Sequence, residues 1–85
     1  MDKKYKGIGS VQTRLIEECS ELIKAICKSE RFGPHNYHPG NKHMTPNYEL
    51  VKREIADVRQ MCDEMEERLK EIEEIHRKLK SLRKI

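Results

Sequence analysis

From Asn47 to Ile85 the chain contains neither glycine nor proline. The two residues that most readily interrupt a helix are missing from its whole second half. Apolar residues there fall at Val51, Ile55, Val58, Cys62, Met65, Leu69 and Ile72. That alternating four-and-three spacing is a helical seam of the coiled-coil kind. The phase then slips, because Ile75, Leu79 and Leu82 follow Ile72 by three, seven and ten positions. Such a slip fits one long helix with a local change of winding, or two helices. Either way this segment outruns anything else in the chain that can cover it.

The upstream half supplies one shorter helix. Ser10 is the expected N-cap, and Val11, Leu15, Cys19, Leu22, Ile23 and Ile26 recur at helical spacing. Gly33 and Pro34 stop it. A loop rich in histidine, asparagine and proline follows, and Thr45-Pro46 is expected to open the second helix as N-cap and first helical residue. The chain therefore divides into an N-terminal arm (1–10), a first helix (11–32), a loop (33–45) and a second helix with a charged extension (46–85). The expected fold class is all-α: one domain, a helical hairpin with a long second helix, assembling into a four-helix-bundle-type oligomer.

Composition supports association. Of 85 residues, 39% are charged and 35% hydrophobic, with no tryptophan, and so small a chain builds only a modest core alone. The first helix, about 20 residues long, cannot cover a second helix that continues roughly 30 Å past the acidic segment. Ile16, Ile23 and Cys27 also widen the first helix's apolar face beyond one seam. A two-fold homodimer, or a homotetramer as a dimer of dimers, is the expected unit. Cys19, Cys27 and Cys62 fall on or near apolar stripes, show no CxxC spacing, and are expected as small buried thiols in a reducing compartment. No apolar run reaches the length of a membrane span, and the first ten residues lack the pattern of a signal peptide. The expected location is the cytoplasm, without membrane contact.

The chemistry lies in two acidic clusters. "LIEECSEL" from Leu15 aligns with "VKREIADV" from Val51, so Glu18 corresponds to Glu54 and Glu21 to Asp57. Each acidic pair sits one helical turn apart on the edge of an apolar stripe. Antiparallel packing through those stripes brings four carboxylates toward one seam. Arg14, Lys24 and Arg53 are the cations at hand to offset them. A divalent cation with a taste for hard oxygen ligands also relieves their repulsion.

Glu17-Glu18-x-x-Glu21, followed after a loop by Glu54-x-x-Asp57, resembles the EExxE…ExxD signature of the MazG-type, all-α nucleoside triphosphate pyrophosphohydrolases. The flanks "RLIEECSELIKAI" and "EIADV" are similar to that family's two motif helices, and the resemblance covers roughly residues 11 to 65. It implies Mg²⁺, with Mn²⁺ as a substitute, held by Glu18, Glu21, Glu54 and Asp57. It implies hydrolysis of a nucleoside triphosphate to monophosphate and pyrophosphate. Glu17 and Glu18 are the implied catalytic acids, Glu17 as a further ligand or as base for the attacking water.

Around these acids, Lys28 and Arg31 lie beyond Glu21 within reach of a phosphate, and Tyr37 and His38 lie in the loop within reach of a base. Tyr48, Asn36 and Asn41 are further loop candidates for base contact. His35, His38 and His43 match no standard zinc spacing. Arg77, Lys78, Lys80, Arg83 and Lys84 make the C-terminus basic, which suits a helix dipole. With a net charge of only +3 and no interleaved aromatic residues, nucleic-acid binding by that tail is a secondary reading. The other alternative is a non-catalytic helical interaction module.

Overall fold

The computed structural model describes residues 9 to 83. The arm up to residue 8 and the last two residues of the helical extension, Lys84 and Ile85, lie outside the described residues. Two helices make up the architecture, α1 (Val11–Phe32) and α2 (Asn47–Arg83), packed as a hairpin. No helix among the described residues is long and apolar enough to cross a membrane.

Local chemistry explains both ends of α1. The Ser10 hydroxyl accepts a hydrogen bond from the Thr13 amide at 3.1 Å, so one exposed donor of the first turn is satisfied. At the other end the Gly33 amide donates to the Ser29 carbonyl at 2.9 Å while Gly33 takes φ 96°. A side chain there is strained, and an added Cβ would lie 3.1 Å from Asn36 Nδ2.

The start of α2 differs from expectation. The helix begins at Asn47, one residue later, and Pro46 is the cap: its carbonyl accepts from the Leu50 amide at 3.4 Å and from Glu49 at 3.0 Å. Thr45 is buried beside it and does not cap the helix. The remaining donors are met from across the loop. The Asn47 amide donates to the Asn36 carbonyl at 2.8 Å, and the Tyr48 amide to the Pro34 carbonyl at 3.0 Å. The Asn47 side chain, only 5% exposed, donates to the Gly33 carbonyl at 2.9 Å. The chain leaving α1 thus folds back over the first turn of α2 and supplies its caps. Sequence pattern favours Thr45 because threonine is a common N-cap. The loop's own carbonyls take that role instead, since they occupy the space above the helix end.

α2 is a single helix that passes through the phase slip near Ile72 without a break. The described residues around Ile72 are all exposed. At 1.5 Å per residue it is about 55 Å long, against about 33 Å for α1, and the longest dimension of the chain is 65 Å. The first turn of α1 reaches the level of Met65 and Glu64, where Arg14 Nη2 lies 3.2 Å from Glu64 Oε1. Beyond Met65 every described residue of α2 is exposed. The extension carries its own one-turn ion pairs, Arg68–Glu71 at 2.9 Å and Lys70–Glu67 at 3.0 Å. The hydrogen bond and charge of Glu67 raise the pKa of Lys70 above the usual lysine value.

Two helices cannot enclose much. Met61, 8% exposed, is the only apolar side chain among the described residues that is buried. The expectation of three buried thiols is corrected accordingly: Cys19 and Cys62 are half-buried, and Cys27 is exposed. Leu15, Cys19 and Leu22 line the hairpin seam half-covered. Ile16 and Ile23, 67% and 62% exposed, stand on the opposite edge.

The pinned loop makes a direct prediction. Asn47→Ala removes a buried donor and leaves the Gly33 carbonyl without it, which should cost about 1–2 kcal/mol. Gly33→Ala forces a side chain into the left-handed region and should cost roughly 1–3 kcal/mol. Thermal unfolding followed by circular dichroism measures both. Unchanged midpoints would show that loop closure contributes nothing to the hairpin.

Candidate metal centre

Each acid is placed by a half-buried position at the edge of a helix stripe. Glu17, Glu18 and Glu21 come from the middle of α1, and Glu54 and Asp57 from the second and third turns of α2. Packing brings the two helices' acids together. Glu18, Glu54 and Asp57 each offer a carboxylate oxygen, and the three oxygens lie within 4.8 Å of one another. Oε2 of Glu18 and Oε2 of Glu54 are both shielded from solvent. Three carboxylates this close repel strongly in a partly dry setting. The donor set is all oxygen, the kind that hard divalent cations take.

Glu21 stands apart from this trio. Lys24 Nζ lies 3.9 Å from its Oε1, an i,i+3 pair on α1. Glu17 lies beside the trio instead, lining a cleft of about 200 Å³ with Glu18, Asp57, Arg14, Gln60, Met61 and Glu64. Of the cations expected near the acids, Lys24 meets Glu21, Arg14 meets Glu64, and Arg53 is exposed.

Arg14 is the residue that motif reasoning passed over as a functional group. Its guanidinium lines the acidic cleft, yet its Nε is buried with no hydrogen-bond partner among the described residues. Buried polar groups without partners are uncommon. The signal was present in the sequence, since Arg14 precedes Glu18 by four and so shares its helix face.

A second, larger cavity of about 530 Å³ opens where α1 ends and α2 begins. Lys28, Phe32, Asn36, Tyr37, His38, Pro39 and Asn47 line it. Lys28 follows Glu21 by seven, so it stands on the same face about 10 Å further along α1. Lys28, Tyr37 and His38 line this cavity together, and Arg31 does not. Tyr48 faces elsewhere, in an edge contact with His35 at 5.8 Å. Asn41 Oδ1 accepts from the His43 amide, and His38 Nδ1 accepts from the Gly40 amide at 3.0 Å, which leaves His38 its Nε2 proton as a donor. Asn36 and Asn47 turn their side-chain amides to the carbonyls of Phe32 and Gly33, so each keeps Oδ1 as an acceptor.

No protein-family model, curated protein or solved structure matches the chain.

A Mn²⁺ titration tests the acidic cluster directly. Glu54→Gln or Asp57→Asn should weaken binding by about tenfold or more, since even the loss of a supporting partner around a metal costs that much. Circular dichroism should show the helices intact. Equal Mn²⁺ affinity in both variants would mean the trio holds no cation.

Proposed function

We propose that the chain is a cytoplasmic, Mg²⁺-dependent hydrolase that cleaves a nucleoside triphosphate to monophosphate and pyrophosphate. One observation carries the reading: carboxylates from both halves of the acidic pattern, Glu18 on α1 with Glu54 and Asp57 on α2, meet within 4.8 Å. Carboxylates that face one another across two helices repel, and a bound cation offsets that repulsion. The similarity to MazG-type enzymes supplies the reaction, and the all-oxygen donor set fits the cation.

Glu18, Glu54 and Asp57 would hold the metal, with Glu21 one turn on as the fourth carboxylate. When bound, Mg²⁺ neutralises phosphate charge and makes the α phosphorus easier to attack. Glu17 lines the same cleft and takes the proton of the attacking water as its oxygen bonds to the α phosphorus. The bond from that phosphorus to the bridging oxygen breaks, and pyrophosphate leaves. Arg14 orients and neutralises a phosphate oxygen, which supplies an acceptor for its buried Nε–H. Lys28 meets the ribose-phosphate end of the substrate. The base lies in the 530 Å³ cavity against Phe32 and Tyr37.

The working unit is a homodimer or a homotetramer in which hairpins combine into a four-helix bundle. The exposed Ile16 and Ile23 on α1 form the face that such packing covers. The exposed stripe on α2 also favours a second reading, a helical interaction module without catalysis. Cation binding at the acidic trio separates the two, because a scaffold is indifferent to it.

Incubating a panel of nucleoside triphosphates with Mg²⁺ and resolving the products decides the reaction. Monophosphate and pyrophosphate are expected, and orthophosphate with diphosphate would mean another chemistry. Asp57→Asn and Glu21→Gln should abolish turnover, while Arg14→Ala should lower kcat/KM by about 10²-fold, the usual scale for one charge-stabilising donor. Ile23→Glu should dissociate the bundle, read as a halved mass by light scattering. A compact, fully active wild-type monomer at micromolar concentration would sink the assembly.

A further inference from the structure

Beyond Met65, α2 projects past the start of α1, and every described residue of it there is exposed. Leu69, Ile72, Ile75, Leu79 and Leu82 are all among the exposed large apolar residues. Their order is close to a palindrome. A two-fold axis crossing the helix between Ile75 and His76 sets Leu69 level with the partner's Leu82 and Ile72 level with the partner's Leu79. Ile75 then lies at the axis beside its own copy.

Charge along the same stretch is divided. Glu66, Glu67, Glu71, Glu73 and Glu74 precede the midpoint, where Arg68 and Lys70 are held within the helix by Glu71 and Glu67, and Arg77, Lys78, Lys80 and Arg83 follow it, with no acid after Glu74. Glu71 and Lys78 are seven apart, as are Glu73 and Lys80, so each pair shares one side of the stripe. Two antiparallel helices related by a two-fold axis bring the same side of each into contact. Glu71 then meets the partner's Lys78 on one side, and Glu73 meets the partner's Lys80 on the other. The axis repeats both pairs, giving four. A parallel pair would oppose acid to acid and base to base along its whole length.

The existing ion pairs leave this open. Glu71 holds Arg68 at 2.9 Å and Glu73 holds Arg77 at 4.0 Å, both exposed and within one helix. Lys78 and Lys80 have no carboxylate partner among the described residues.

We infer that the projecting end of α2 is a self-association surface, which pairs antiparallel with the same segment of a second copy of this chain about an axis between Ile75 and His76. It is separate from the acidic centre and does not depend on the reaction proposed there. It is also separate from the Ile16/Ile23 face, so the two contacts can be tested one at a time.

Sedimentation of the full chain at low salt tests the inference. Glu71→Lys with Glu73→Lys, and separately Lys78→Glu with Lys80→Glu, should each weaken tail association by roughly a hundredfold. Mixing the two double variants should restore it, as should the fourfold charge exchange in one chain. Ile23→Glu reads the other contact, so each interface fails on its own. Orientation is read by cross-linking in a background with Cys19, Cys27 and Cys62 replaced by alanine. Ile72→Cys and Leu79→Cys chains should form a disulfide with each other and not with themselves. An Ile72→Cys chain that cross-links to itself means a parallel pair and overturns the inference. So does a mixture that fails to cross-link, or an unchanged mass in both charge variants.

Discussion

The hairpin depends on how the loop is tied to the start of α2. The carbonyls of Gly33, Pro34 and Asn36 receive the Asn47 side chain and the Tyr48 and Asn47 amides. Those three bonds fix where α2 begins relative to where α1 ends. Once that offset is set, rigid helices carry it along their length, to the Arg14–Glu64 pair at the far end. A loop of this length left untied would let the helices slide by a turn, and the carboxylates of Glu18, Glu54 and Asp57 would no longer meet.

The same geometry leaves the described residues with one buried apolar side chain, Met61. One buried methionine cannot offset the ordering of two helices, so stability on this scale calls for further covered surface. Among the described residues two exposed apolar surfaces stand out, and they differ in character. The Ile16/Ile23 edge of α1 carries no charged pairing pattern and lies beside the hairpin seam. The end of α2 combines an apolar stripe with divided charge, which gives it orientation as well as affinity. The acidic centre sits half-buried at the hairpin seam, on the edge away from Ile16 and Ile23.

Arg14 links these layers. It ties the first turn of α1 to α2 through Glu64 and presents the same guanidinium to the acidic cleft. A cation in that position tempers the repulsion of the trio, and its Nε is buried. Structure and chemistry are thus served by one side chain, and its removal acts on both.

Much of this was legible in the residues themselves. The bounds of α1, its Ser10 cap and Gly33 stop, and the position of each acidic pair at a stripe's edge all follow from local spacing and backbone preference, whereas the spacing past Ile72 left one helix or two open and the structure makes it one. Those are short-range effects that a linear pattern records. Which acids converge was not legible. Glu21 looks equivalent to Asp57 in the aligned motifs, yet lies beside Lys24 while Asp57 joins Glu18 and Glu54. Thr45 looks like the cap, yet the loop's carbonyls take that place. Tyr48 and Tyr37 looked alike as base contacts, until His35 met one and the cavity took the other. Each of these choices rests on side-chain rotamers and on the register of two helices. Register is set by hydrogen bonds between residues far apart in sequence, which only the folded chain brings into contact.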